Sequence, residues 1–398
     1  MTLCCPPRPC PTCDGVSPRL LYRQNFAHLD EGGLLPGYDV VVCSSCGFAF
    51  ADGIPGQDFF DVYYRELSKY DYNSRQGEEP EWVRDRFRTL ADQLEPWLAS
   101  RQSRILDVGC ATGGLLAEFK IRGFKNVLGI EPSPAAARAA LDRHGVKVLT
   151  GSLPLLAASG ETFDLIILTG TLEHVRDLHG LLQLISQLLS AEGQVFLEVP
   201  DATAFTSCRN APYQEFSIEH INFFSPTSLA NLLRRFGYAQ IWSRKARGEL
   251  SRDVFEPVIR ALFRRDRQGP RLPELDTETE PALRDYIAQS RTVDDRVCEI
   301  IDRIVVEDRP ILVWGVGTHT LRLLATSRLA EARIRAFIES NARYHGRQLR
   351  GVPIIAPAEL PSYPEPVLVS SFVYQREIVR QIREGLGCAN EVILLYEI

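Results

Sequence analysis

Residues 104–114 read Arg104-Ile105-Leu106-Asp107-Val108-Gly109-Cys110-Ala111-Thr112-Gly113-Gly114, an apolar run that ends in an acid and a glycine. A further pair of glycines then opens an apolar stretch from Leu115 to Ile121. The pattern predicts a strand, a tight turn and a helix. Gly109 lets the backbone reverse sharply, and Gly113 and Gly114 let a ligand approach without meeting a Cβ. The helix start adds unpaired N–H groups that point at such a ligand.

Two nucleotide-cofactor classes use a turn of this kind. Dinucleotide sites want G-x-G-x-x-G, whereas the spacing here is G-x-x-x-G-G, with Asp107 two residues before the first glycine. This resembles motif I of the S-adenosylmethionine (SAM) methyltransferases of Rossmann-like fold, in which the acid and the turn backbone lie near the methionine end of SAM. One βα unit later, Val127-Leu128-Gly129-Ile130-Glu131 is a second apolar strand ending in an acid. A carboxylate there can accept both ribose hydroxyls. The expected cofactor-binding set is therefore Asp107, Gly109, Cys110, Thr112, Gly113, Glu131 and Pro132. Ser152, where the resemblance puts the adenine ring, and Thr169, at the end of the next strand but one, complete it.

The chain has 398 residues, enough for two or three domains, with 45% hydrophobic and 24% charged residues. A formal net charge of −6 argues against a general nucleic-acid binder, which carries a basic surplus. No apolar run approaches the ~18–20 residues of a membrane span, and the first residues lack the apolar core of a secretory signal. The expectation is a cytoplasmic protein whose ten cysteines are thiols or metal ligands rather than disulfides.

Cys10-Pro-Thr-Cys13 and Cys43-Ser-Ser-Cys46 are two C-x-x-C pairs. Each such turn aims two thiolates at one tetrahedral ion, so Cys10, Cys13, Cys43 and Cys46 read as a closed, structural Cys₄ zinc site, with Cys4 and Cys5 as rival ligands. A redox C-x-x-C would not need two pairs, and the βαβ unit that goes with it does not follow. Arg19–Phe26 and Tyr38–Val42 are the expected strands of the ribbon. Residues 58–72 are rich in aromatics, among them Phe59, Phe60, Tyr63, Tyr64, Tyr70 and Tyr72. The phenylalanines suit a packed helix, and the more polar Lys69–Ser74 stretch suits a substrate cleft. A helix is expected over Glu81–Ser100.

From there strand and helix alternate, which predicts an α/β domain with a parallel sheet. Phe163–Leu168 reads as a central strand covered on both faces. It opens into Thr169-Gly170-Thr171-Leu172-Glu173-His174-Val175, a loop that must look into the site, because ligands bind beyond the carboxyl ends of such strands. Gln194–Pro200 ends at the same rim. Then comes Glu215-Phe216-Ser217-Ile218-Glu219-His220-Ile221-Asn222-Phe223-Phe224-Ser225. His220 beside Glu219 reads either as a buried, backbone-bonded histidine or as a general base with a carboxylate to orient it. Ser225 is the expected N-cap of a helix beginning at Pro226.

The cysteine quartet, Asp-x-Gly-Cys at 107–110, Gly-Ile-Glu-Pro-Ser at 129–133 and Glu-His-x-x-Phe-Phe-Ser at 219–225 together resemble the sugar C-methyltransferases of deoxysugar biosynthesis. The resemblance covers nearly the whole chain. It implies an N-terminal zinc segment, a central SAM domain and a C-terminal Rossmann-like domain that helps hold a nucleotide-sugar. It also implies that Glu219 and His220 stand at the acceptor, with His174 on the loop after the fourth strand and Tyr70 or Tyr72, Tyr72 being preferred, as an N-terminal active-site tyrosine. A tyrosine of the family's site is Ser217 here.

The expected organisation is a zinc-binding and aromatic segment over 1–75 and a methyltransferase domain over 76–245. A linker and long helix follow over 246–306, with a short helix near Val254–Phe263, and then a Rossmann-like domain over 307–398. That last domain opens with Pro310–His319, a second strand and Gly-rich turn. The expected reaction is SAM-dependent methylation of a nucleotide-activated keto-deoxysugar. His220 would be the base, oriented by Glu219, with His174 or Tyr72 bonding the enolate oxygen. Methylation of a sugar or natural-product hydroxyl is the alternative chemistry, and an inactive zinc-containing scaffold the alternative class.

Overall fold

The strands of the central sheet, numbered in chain order, are Arg104–Val108 (β1), Asn126–Glu131 (β2), Val148–Thr150 (β3), Phe163–Thr169 (β4), Leu189–Pro200 (β5), Tyr238–Ser251 (β6) and Val254–Arg265 (β7). Their order across the sheet is β6-β7-β5-β4-β1-β2-β3. From β3 to β5 all neighbours are parallel, and β7 joins β5 antiparallel, with β6 outside it. Chain direction makes β1 the switch point: β2 lies on one side of it and β4 on the other. In a doubly wound sheet that is where a crevice opens at the carboxyl rim. The glycine turn over 109–113 stands at that rim.

The computed structural model describes residues 7–29, 35–67, 80–151, 153–251 and 254–397. They divide into two units, one of residues 1–20, 41–208 and 220–283, the other of 21–40, 209–219 and 284–398. The strands expected near the cysteines are Pro18–Asn25 and Gly37–Cys43. Among the described residues no helix is long and apolar enough to cross a membrane.

Helices cover the sheet of the first unit because the sequence gives each a start and an apolar face. Pro134–His144 begins with Ser133, whose side chain accepts from the Ala136 N–H, and ends at Gly145 in a left-handed conformation. Pro226–Arg235 has Ser225 as its N-cap, in a reciprocal box with Ser228. In β4 everything but Asp164 and the terminal Thr169 is buried. One continuous core joins Leu106, Ile166, Leu197 and Ile259 of the sheet to Cys10, Cys43, Cys46, Phe48 and Phe224. The cysteine segment is thus built onto the sheet's own core.

The span expected as a linker with a short helix at Val254–Phe263 is instead the last sheet strand, β7. From Val258 to Phe263 every residue is buried, so the run has no polar face for a surface helix. Pro257 falls just before Val258, where pairing with β5 begins. Its missing N–H is therefore not needed on that side. The expected helix over 280–306 is Thr279–Glu307.

The second unit contains Ile311–Trp314 (β8), Ile334–Ile338 (β9), Gln348–Leu349 (β10), Val352–Ile355 (β11), Val367–Val369 (β12) and Val392–Leu394 (β13). Their order is β10-β11-β9-β8-β12-β13, parallel except for the short β10–β11 hairpin. The segment from Ile311 to Leu394 therefore forms a second α/β sheet of its own.

Buried charge braces the first sheet. Glu198 on β5 is 2% exposed and accepts from Arg260 Nε on β7 and from Arg86 of the helix Glu81–Leu94, each at 2.5 Å. Burial alone would raise its pKa, but the two arginines hold it below the usual carboxylate range. Removing one partner of a buried pair leaves charge uncompensated, so Arg260→Met is expected to cost about 3 kcal/mol in urea unfolding.

Candidate active site

The turn after β1 is shaped by backbone conformations that few residues adopt. Gly109 has φ 80° and Gly113 φ 76°, and Ala111 between them sits at φ 47°, a left-handed conformation that costs an alanine roughly 1–2 kcal/mol. A carboxylate holds it there: Glu131 Oε2 accepts from Ala111 N at 2.9 Å, and Oε1 accepts from Ser133 N at 3.0 Å. Thr171, from the loop after β4, seals the other side by donating to Val108 O at 3.0 Å. A Cβ on Gly109 would lie 2.7 Å from Thr171 Oγ1.

Asp107 is the exceptional group. It is 2% exposed, and its Oδ1 is buried without a hydrogen-bond partner among the described residues. Burial first, then the negative Glu131, pushes its pKa up to about 7, against the opposing charge of Arg86. A buried acceptor left unsatisfied wants a donor. The carboxylate and glycine turn thus fit SAM, whose methionine end carries an ammonium group. Asp107, the 109–113 turn with Cys110 and Thr112, and Glu131 are the residues that would hold it. Pro132 follows Glu131 directly, and Thr169 ends β4. Ser152 lies outside the described residues.

Beyond the carboxyl ends of the strands, two distant loops bring histidines together. His174 ends the short helical turn Leu172–His174 after β4, and His220 precedes the short strand Asn222–Phe223, which pairs antiparallel with Ala49–Asp52. The rings meet edge to face, with centroids 4.9 Å apart. Tyr64 Oη lies 3.1 Å from His174 Nδ1. Buried Glu173 reaches within 4.0 Å of His174 Nε2. Glu173, His174 and His220 offer donor atoms all within 4.8 Å of one another, so the cluster can pass protons or, as an N,N,O set, accept a cation. Glu219 is buried. Its N–H is bonded to Ser217 Oγ at 3.4 Å, and its charge acts on the Tyr344 hydroxyl, whose pKa is raised by burial, then by Glu339 and Glu219.

Tyr70 and Tyr72 lie outside the described residues, and Tyr64 is the tyrosine found at the histidines. It belongs to the helix Gln57–Leu67, four residues after Phe60, which is 0% exposed. That spacing places both rings on one helix face, a signal available from sequence that points the hydroxyl inward. Thr171 and Asn222 also went unread. Asn222 donates from Nδ2 to Leu172 O and Val175 O, both at 2.8 Å, tying one histidine loop to the other.

The four cysteines of the N-terminal pairs gather as expected. Cys10 and Cys46 sulfurs are 3.5 Å apart, as are those of Cys13 and Cys43, and all four lie within 4.8 Å of one another. Sulfurs around a tetrahedral ion with ~2.3 Å bonds stand close to that far apart. The cluster is anchored to the first unit by His179 Nε2 at 2.6 Å from Pro11 O and by Arg235, which donates to Thr12 O at 3.1 Å. Cys4 and Cys5 are outside the described residues.

Comparison with known proteins agrees with this geometry. The methyltransferase-domain family model matches residues 82–242, and a model described as C2185-like, N-terminal, matches 307–394. C-methyltransferase NovU of Streptomyces niveus is 24% identical over 394 residues, covering 92% of this chain and 87% of that protein. Ubiquinone biosynthesis O-methyltransferase of Azorhizobium caulinodans is 32% identical over 105 residues, 25% of this chain and 41% of that one. The human mitochondrial enzyme of the same name is 26% identical over 173 residues, covering 39% of this chain and 47% of its own.

The Asp107 carboxyl makes a signed prediction. Its folded pKa is raised to about 7 from 3.8, so its contribution to stability is fully present below the lower value and is lost as pH rises through the higher. Asp107→Asn should therefore stabilise the ligand-free protein at pH 8 by on the order of a few kcal/mol, and by nothing near pH 4. The same variant should weaken SAM at least about tenfold, a hydrogen bond to a charged group contributing ~1.5–3 kcal/mol. Urea titrations across pH and calorimetry with SAM check the two halves.

Proposed function

We propose that the chain, which is a SAM-dependent methyltransferase, methylates a carbon beside the ketone of a nucleotide-activated keto-deoxysugar. The observation that carries this reading is the His174–His220 pair with Tyr64 behind it. It is supported by the kinship, over nearly the full chain, to a relative named as a C-methyltransferase. The sugar class rests on the sequence resemblance.

When bound, SAM supplies an already activated methyl group, so the protein's work lies with the acceptor. His220 removes the proton from the carbon next to the ketone. His174, held at Nδ1 by Tyr64, presents Nε2 to the ketone oxygen and stabilises the charge that forms there. Contributions of this kind are typically ~10²–10⁴ in rate for acid–base transfer and ~10²–10³ for a placed donor. Glu219 acts through His220 as its neighbouring carboxylate. The cysteine quartet holds one zinc ion in a structural role, because four thiolates leave no position for a substrate.

The second reading, transfer to a hydroxyl, is favoured by Ser217, which stands where the resembled family has a site tyrosine, and by the partial kinship to O-methyltransferases. Proton exchange separates the two. In D₂O, with SAM absent and a panel of nucleotide-linked keto-sugars, the enzyme is expected to drive deuterium uptake at the carbon beside the ketone. Uptake should fall ~10²-fold or more in His220→Ala and about tenfold in Tyr64→Phe. Methylated product carrying the group on oxygen would overturn the carbon assignment.

The zinc assignment has its own check. Purified protein should contain one zinc per chain by elemental analysis, Cys46→Ser should lose most of it, and a strong chelator should lower the melting temperature. A zinc-free protein of unchanged melting temperature would remove the ion from the account.

A further inference from the structure

We propose that Arg8 is a positioning residue that clamps the two histidine loops in register. This rests on the reading of His174 and His220 as the acting pair. Arg8 is 1% exposed, and its guanidinium is spent on the loops that carry the histidines. Nη1 donates to Ile221 O at 3.1 Å, the carbonyl directly after His220. Nη2 donates to Arg176 O at 2.9 Å, two residues after His174, and to Asn222 Oδ1 at 2.9 Å. Its own N–H is held by Asp52 Oδ1 at 2.6 Å, on the strand that pairs with Asn222–Phe223, and its charge lies 5.6 Å from the Phe50 ring centre.

The clamp continues beyond the arginine. Asn222, gripped through Oδ1, passes its two Nδ2 hydrogens to Leu172 O and Val175 O. Ile221 N donates to Glu173 O at 2.8 Å. One side chain from the N-terminal arm therefore bonds both loops at once, and the amide it touches repeats the link. A position that merely filled space would favour an apolar residue, since a charged group buried for its volume alone costs several kcal/mol. A fork of planar donors is suited instead to fixing two carbonyls at set angles. Ring positions matter at this scale, because a misplacement of about 1 Å can cost ~10² in rate.

The test uses the full-length, zinc-loaded protein with ¹⁵N,¹³C-labelled histidine. In wild type, rings with centroids 4.9 Å apart give a ring-proton Overhauser contact between His174 and His220. Arg8→Met and Asn222→Ala are each expected to lose that contact and to lower turnover or proton exchange ~10²-fold. S-adenosylhomocysteine affinity should stay within about threefold and zinc content should not change. Arg8→Lys, which keeps the charge but not the fork, should behave like Arg8→Met. If Arg8→Met does not fold, Arg8→Lys decides, since it keeps the buried charge and removes the fork that bonds both loops. A ring contact preserved in the folded variants overturns the proposal, as does a parallel loss of S-adenosylhomocysteine binding, which would mark a general prop. Loss of the contact with unchanged turnover sustains the clamp and overturns the catalytic reading of the histidines instead.

Discussion

A carboxylate accepting two backbone N–H groups fixes the geometry on which the cofactor site depends. Glu131 ties the turn after β1 to the end of β2 through Ala111 N and Ser133 N. Without it, Ala111 would lose the hydrogen bond that holds it at φ 47°. Hydrogen bonds to a charged acceptor contribute ~1.5–3 kcal/mol each, enough to offset a left-handed alanine. The second unit repeats the device: Glu339, after β9, accepts from Val316 N at 3.1 Å and Asn341 N at 2.9 Å. It lacks the other half. Two residues before the turn glycine, where the first unit has Asp107, the second has Val313. The paired backbone bonds are kept there without an acid at the position that Asp107 holds in the first unit.

Three carboxylates on the central sheet are almost equally buried, and their partners give them different roles. Glu198 is neutralised by two arginines and braces the sheet. Glu131 is satisfied by main chain and shapes the turn. Asp107 alone of the three keeps an oxygen without a partner among the described residues and carries a pKa raised to about 7. Structure needs buried charges balanced; a binding site needs one that is not balanced until the ligand arrives.

Much of this was legible in the sequence, and the reasons differ by element. The turn at 107–113 and the acid at Glu131 were readable because local backbone chemistry dictates both residue type and spacing. The cysteine quartet and the Ser225 cap were readable for the same reason. The strand Val254–Arg265 was not, because whether a short, mostly apolar run becomes helix or strand depends on what covers its two faces. Tyr64 was passed over for Tyr72, since an aromatic in a helix ordinarily means packing. Arg8 and Asn222 carried no signal at all. Their partners are main-chain carbonyls and each other, up to 214 residues away in sequence, and a carbonyl has no letter in the sequence.

The arrangement of the histidines bears on which atom receives the methyl group. A hydroxyl acceptor asks the protein for one service, removal of a proton as the new bond forms. A carbon beside a ketone asks for two at once: a base at the carbon and a donor at the oxygen, a few ångströms apart. One loop supplies His220 and another supplies His174, the latter with Tyr64 at its Nδ1, and main-chain and amide bonds keep the two loops together. On the proposed reading, the two imidazoles, edge to face and with Tyr64 Oη 3.1 Å from His174 Nδ1, supply both services.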